Sequence, residues 1–437
     1  MPTLSPRTVF LTLSATRWAP VGLVVGLFAL VARERGLTVA ETLSYVSFQG
    51  VAVILLELPS SGFADAFGRR PLLLVAGVVN VIAAVAYLLA DSFWAFAVAA
   101  ALMGVYRALD SGPLEAWFVD VVHEADPDAE VAGDLAAQGT ILGITIAGGS
   151  VLSGALVAWH PWRDHSALLL PLVLYAVLCV AHLVATAALL RERPRGVAGM
   201  VGSVHPPSPH RAALRQVAAS LRETPAVIAD SVRLVVHNRV LAGIVAVEIG
   251  WCAALVVFET LLSLRLSEQL GGAAAAGRWI GPVSAAGWAV FAVGSSLAGR
   301  LHRRIGVART AILARVLNGL GALVMGLAAG PVALVAAYLF TYGLHGAAGV
   351  AHNALLHREA TSANRATVLS LNSLVFFAAA AAWSPVLGLV AGRTSIATAM
   401  VVGGLVSVLG LLGYLPAARK EGRRTHPVRA RPPRAQR

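Results

Sequence analysis

The sequence predicts an all-α polytopic membrane protein with twelve transmembrane helices in two pseudo-symmetric six-helix halves. Three observations carry this reading. The 437 residues are 57% hydrophobic and 13% charged, against about 25% charged in an ordinary soluble domain. Apolar stretches of membrane length recur along most of the chain, and in lipid the backbone is satisfied only within helices or closed barrels. Two similar short loops stand 238 residues apart, one on each side of a polar central segment.

The spans fall at 9–32, 40–63, 71–90, 93–118, 135–158, 167–190, 240–263, 278–300, 308–328, 331–353, 366–391 and 395–416. Arg17 and Pro20 interrupt the first, which neighbouring helices and water can tolerate. No charged stretch, short apolar segment and cleavage site follow one another at the start, so the first span is expected to act as the insertion signal. The spans divide the chain into an N-terminal half (1–190), a cytoplasmic linker (191–239), a C-terminal half (240–416) and a basic tail (417–437). Within the linker, 191–209 is rich in Pro and Gly. The stretch 210–237 holds two amphipathic helical patterns, Leu214/Val217/Leu221 and Ile228/Val232/Val235, the second opened by Thr224-Pro225.

Positive charge orients the chain. With the N-terminus in the cytoplasm, the inward segments collect 25 of the 34 basic residues and the outward loops six, as the positive-inside rule requires. Both termini are then cytoplasmic. The same asymmetry accounts for the net charge of +12 without nucleic acid. The tail either touches anionic headgroups or is solvated and disordered.

Composition excludes several classes. The single lysine is Lys420, so no phosphate-binding Gly-x-x-x-x-Gly-Lys loop exists and the protein hydrolyses no ATP through a domain of its own. Cys179 and Cys252 lie in apolar runs, which argues against disulfides and zinc. His352 and His357 lack the i, i+4 spacing that would bring two metal ligands together, and no cofactor is expected. The bias toward Arg and Ala suggests a high-GC bacterium.

The stretch from Glu57 to Leu74 carries the most specific pattern. Between two apolar runs stand Ser61, Asp65, Gly68, Arg69 and Arg70. The set resembles the signature loop between helices 2 and 3 of the major facilitator superfamily of secondary transporters. Ser61 replaces the usual leading Gly, and Ala66 the usual basic residue after the Asp. Residues 299–306 form a degenerate copy, in which Gly306 matches Gly68 and Arg303 matches Asp65. The resemblance covers residues 9–416. It implies two rocking halves with a substrate site near mid-membrane between them, and a conformational gate at the loop. There Asp65 is expected to meet the dipole of the eleventh span, which starts after Thr361-Ser362-Ala363-Asn364, when the cytoplasmic side is closed, while Arg69 or Arg70 pairs with Asp120. Arg69 and Arg70 also serve topology.

Ionisable residues inside spans are costly and should face the interior in pairs. The fourth span has Arg107, Asp110 and Glu115; Arg107 and Asp110 are three apart and share a face. Arg107 followed by small residues resembles the superfamily's fourth-helix arginine motif, which implies proton transfer, with Gly112 one position late. Either Arg107 tunes Asp110 or Glu115, or the group is a structural ion pair. Glu248 and Glu259 lie on the seventh span about three turns apart, on one face; each could take a proton or a cationic group, or Glu259 could sit in a wet vestibule. His345 on the tenth span aligns with Arg107 at the repeat offset and is either a titrating site or a hydrogen-bonded structural histidine. Arg17, Gln49, Arg315, Asn318 and Asn372 are further inward candidates. Trp251 and Tyr342 could line an apolar cavity. The fifth span has Gly139, Gly143, Gly148, Gly149 and Gly154. These resemble the glycine-rich helix of the superfamily's proton-coupled drug exporters but lack its proline, and close helix packing explains them equally.

The expected protein is therefore a non-enzymatic secondary transporter of the bacterial inner membrane, similar to twelve-helix drug/proton antiporters. It exports a small amphipathic or hydrophobic compound against protons and acts as a monomer in the lipid bilayer. Proton-coupled uptake of a metabolite is the nearest alternative. A receptor or enzyme is the more distant one, for which no catalytic motif is found.

Overall fold

The computed structural model describes residues 4–192, Arg222, Ala226, 228–361 and 364–425. Eleven of its helices are long and apolar enough to cross a membrane, twelve counting one bent pair as a single span. The described residues form an all-α bundle. Its elements are α1 (Pro6–Val24), α2 (Leu27–Glu34), α3 (Val39–Phe67), α4 (Arg69–Leu89), α5 (Phe93–Asp110), α6 (Pro113–Ala125), α7 (Ala132–Trp159), α8 (Leu169–Leu189), α9 (Arg239–Val256), a π-helical turn (Val257–Leu261), α10 (Leu262–Leu270), α11 (Ala273–Ile305), α12 (Val307–Leu327), α13 (Pro331–Glu359), α14 (Arg365–Arg393), α15 (Ile396–Leu409), a 3₁₀ turn (Gly410–Tyr414) and α16 (Leu415–Thr425). Residues 228–237 are also helical. Of the second linker pattern, Val235 is buried and Val232 exposed; the first pattern lies outside the described residues.

Three spans are broken where the sequence pattern read straight through. The first bends by 41° between α1 and α2. The break is at Gly26, whose φ of 69° is left-handed, not at Arg17 or Pro20. The fourth breaks at Ser111-Gly112, with Gly112 at φ 92° and Pro113 opening α6, a turn that Gly and Pro supply at low cost. The seventh carries the π turn.

Helix packing follows the repeat in the sequence. Among the first six spans α3 packs on α5, α1 on α7 and α4 on α8; among the last six, α11 packs on α13, α9 on α14 and α12 on α15. The two sets meet along two seams, α3 with α14 and α7 with α11.

Both seams are closed toward one end. Call the side with the termini and most basic segments the basic face. On the opposite, far face, a Cβ at Gly154 would stand 2.7 Å from the Arg278 carbonyl and 2.7 Å from Pro282, and one at Gly277 2.6 Å from Leu168. In the other seam, a Cβ at Gly388 would be 3.0 Å from the Ala40 carbonyl. The glycine stripe of α7 continues toward the basic face through Gly143 and Gly139, where an added Cβ meets nothing within 4 Å. The bundle is sealed at the far face, while these two glycines in the basic-face half of α7 face open space.

The two signature loops share one geometry. Gly68 has φ 89° and Gly306 φ 88°. Glu192, just past α8, accepts from the Arg69 and Arg70 backbone N–H groups at 3.1 and 2.9 Å. Glu421 in α16 accepts from Ala308 N at 3.3 Å. Each carboxylate caps the orphan amides of a helix N-terminus, where negative charge is favoured.

Candidate functional site

A central cavity of about 350 Å³ is lined by spans 1, 2, 3, 4 and 6, with Phe377 of α14 closing it from the other half. Arg17, which reads as an interruption of the first span, is its organising charge. Its Nε lies 2.5 Å from Asp110 Oδ2 and its Nη1 3.5 Å from Glu115 Oε1. Nη2 donates to the Asp110 carbonyl at 3.0 Å. The break after Asp110 makes this possible: α5 ends there, leaving a carbonyl without a helical partner, and the guanidinium takes both that carbonyl and the side chain. Gln138 of α7 donates to Glu115 Oε1 at 2.5 Å. Asp110 is 3% exposed, so this pairing is what keeps a carboxylate in the interior.

The expected pairing of Arg107 with Asp110 is corrected by this arrangement. The two are three residues apart, but Arg17 captures Asp110 from another helix. Arg107 instead is exposed to the cavity, its guanidinium carbon 5.7 Å above the Phe377 ring.

The C-terminal spans hold a separate buried network. Glu248 Oε1 lies 3.0 Å from His352 Nε2 and accepts from Asn372 Nδ2 at 3.1 Å. His352 Nδ1 is 2.8 Å from the Tyr414 hydroxyl, so four helical segments are tied at one point. Arg315 is 2% exposed and stacks on Trp251 at 4.5 Å. His345 stacks on the same ring at 5.2 Å among Phe258, Phe291 and Tyr342. Its Nδ1 is buried without a hydrogen bond. Glu259 sits on the π turn and accepts from the Tyr342 hydroxyl at 2.9 Å. Such turns recur at functional positions.

Loss of one member of a buried hydrogen-bonded pair leaves the other unsatisfied, at a cost of about 1–3 kcal/mol. Glu248→Ala and His352→Ala should each lower the unfolding temperature of the detergent-solubilised protein markedly. The double variant should be no worse than the poorer single one; additive losses would show that the two side chains act separately.

At the basic face, Arg69 pairs with Asp120 and donates to the Ala116 carbonyl, while Arg70 Nη2 donates to the Ala187 carbonyl at 3.0 Å. Asp65 lies in the last turn of α3. Its side chain, and Ser362 and Ala363 at the start of the eleventh span, lie outside the described residues. Sequence reasoning missed Glu57, Trp18, Asn80 and Phe377 at the cavity and Glu192 at the loop. Glu57 stood at the head of the signature stretch as an acid within an apolar run, which was signal enough.

A family model described as Major Facilitator Superfamily matches residues 10–385. No relative is found among curated proteins. Among solved structures, the nucleoside transporter NupG superposes with a TM-score of 0.71 at 12% identity, covering 95% of this chain and 100% of that one. Peptide transporter POT in complex with sulfate gives 0.68 at 16%, covering 95% and 94%. A POT family transporter in complex with 5-aminolevulinic acid gives 0.67 at 12%, covering 94% and 95%. At these identities the likeness is one of fold.

Proposed function

Because the chain belongs to the Major Facilitator Superfamily, we propose that it is a secondary active transporter that exports a small amphipathic or hydrophobic compound in exchange for protons. One observation carries the reading: the Arg17–Asp110 ion pair, backed by Glu115, stands in the wall of a central cavity in a bundle sealed at its far face. A buried ion cluster at mid-span is a proton or substrate site by default. One proton charge moving through 100 mV supplies about 2.3 kcal/mol.

In this reading residues 1–190 and 240–416 are the halves that rock, 191–239 tether them, and 417–437 form a tail. The protein works as a monomer in the cell membrane. By the positive-inside rule the basic face is cytoplasmic, so the conformation is inward-open; in the export reading cargo enters it from the cell. Asp65 then meets the start of the eleventh span only when that face closes, with Gly68, Arg70 and the Arg69–Asp120 pair as the frame of the gate. Glu248 and His345 form a second coupling region. The mostly apolar cavity wall favours export. Uptake is the other outcome to test, since the structural neighbours are named nucleoside and peptide transporters.

The experiment is a compound-protection screen in cells with and without the chain, followed by transport in inverted vesicles under an inside-acid gradient. Proton-driven accumulation of a protecting compound means export. Accumulation only in right-side-out vesicles means uptake. Movement in neither overturns the transporter reading.

A further inference from the structure

Two opposite charges line the central cavity without answering each other. Arg107 is exposed to it, and among the described residues no carboxylate lies within ion-pair distance. Glu57, on α3, lines the same cavity, and its Oε2 is buried without a hydrogen-bond partner. The two groups face the same cavity from neighbouring helices, α3 and α5, but form no pair. Arg17, a few residues away in the same wall, is by contrast held by two carboxylates.

Two neutral groups repeat the pattern. The Trp18 indole N–H and Asn80 Oδ1 both belong to cavity-lining residues and are buried without partners. The lining residues thus carry two unmatched donors, Arg107 and Trp18, and two unmatched acceptors, Glu57 and Asn80. Apolar residues such as Val21 and Met103 lie between. Buried polar atoms in native proteins are nearly all partnered, so the three exceptions on residues of this one cavity are places where a bound molecule could supply the partner.

We propose that the cavity binds a small zwitterion, with a carboxylate or other anionic group on Arg107, a protonated amine on Glu57 and an apolar body against the aliphatic wall and Phe377. The inference rests on the transporter reading only in taking this molecule as the cargo. A cation with no anionic end would place like charge beside Arg107, which is repulsive across a desolvated contact. A neutral amphiphile would leave both charges unmatched. The volume of about 350 Å³ lies at the lower end of the usual ligand range of about 300–1,000 Å³, suited to one or two amino-acid units and too small for a long-chain lipid.

The test is binding to the purified full-length protein, read by tryptophan fluorescence and thermal shift. The probes are four forms each of phenylalanine and leucyl-phenylalanine: the zwitterion, the amide (cation), the N-acetyl acid (anion) and the N-acetyl amide (neutral). At least one zwitterion should bind roughly tenfold or more tightly than its neutral form, the scale of a charge-assisted hydrogen bond. Arg107→Gln should erase the preference for zwitterion over amide, and Glu57→Gln that for zwitterion over N-acetyl acid. Arg107→Lys and Glu57→Asp should restore part of each, which separates charge from misfolding. Equal binding of the neutral form, binding of none of the eight probes, or loss of all forms together in each variant overturns the proposal. The same probes are then offered in counterflow. Charge-selective binding without movement leaves the zwitterion site standing and removes the transporter; pH-driven movement of the neutral form does the reverse.

Discussion

Asp110→Asn is expected to separate cargo movement from the proton gradient. Asparagine fills nearly the same volume, so the cavity keeps its shape, but it carries no titrating carboxyl. Arg17 keeps its bond to the residue 110 carbonyl, 3.0 Å in the wild type, and its longer contact with Glu115. Proton-driven accumulation should fall about a hundredfold or more, within the range typical of losing a proton-transfer group. Exchange of labelled for unlabelled cargo across the same vesicles, which needs no net proton movement, should stay within a fewfold of wild type. Glu115→Gln should do less, because that side chain is 32% exposed and its partner Gln138 persists. Thermal unfolding must accompany the transport measurement, since breaking a buried pair can cost about 3–5 kcal/mol by itself. Accumulation with wild-type rate and pH profile would remove Asp110 from the coupling step.

The residues involved show what the sequence made legible and what it hid. The spans were plain because lipid forces long apolar helices. The loop repeat was plain because Gly68 and Gly306 meet one conformational demand, a positive φ that few other residues accept. The partner of Asp110 was hidden. Spacing within a helix nominates Arg107, three residues away, whereas the observed partner Arg17 is 93 positions off; such pairs are set by tertiary packing, which periodicity does not encode. The break that exposes the Asp110 carbonyl was written as Ser111-Gly112-Pro113, a recognised breaker, but the apolar run on either side outweighed it. The π turn under Glu259 leaves no compositional trace. Glu192 reads as one more charge in a basic linker until the fold carries it beneath two backbone amides.

The fifth-span glycines separate two meanings that one stripe can have, and the second large effect follows from them. Near the far face they let two backbones touch. A Cβ at Gly154 would lie 2.7 Å from the Arg278 carbonyl, and one at Gly281 would collide with the Ser150 carbonyl and stand 2.9 Å from Gly154 N. Valine at 281 therefore cannot coexist with the closed seam. Overpacking costs about 1–3 kcal/mol where the structure can relax only slightly, but the far-face-open conformation of the alternating-access proposal would relieve it. That bias multiplies the far-face-open population about five- to 150-fold. The reporter is Ser263→Cys in a background lacking Cys179 and Cys252, because Ser263 is 0% exposed and packs beside Gly26 in the seal. An impermeant maleimide added at the far face should label it faster in Gly281→Val by a comparable factor. Gly143→Leu is the converse probe: nothing lies within 4 Å of its added Cβ, so far-face labelling should not rise. If the halves close on the basic face along the same stripe, leucine there blocks that closure and transport is lost all the same. Unchanged labelling in Gly281→Val would mean that the glycine seam does not hold the far face shut.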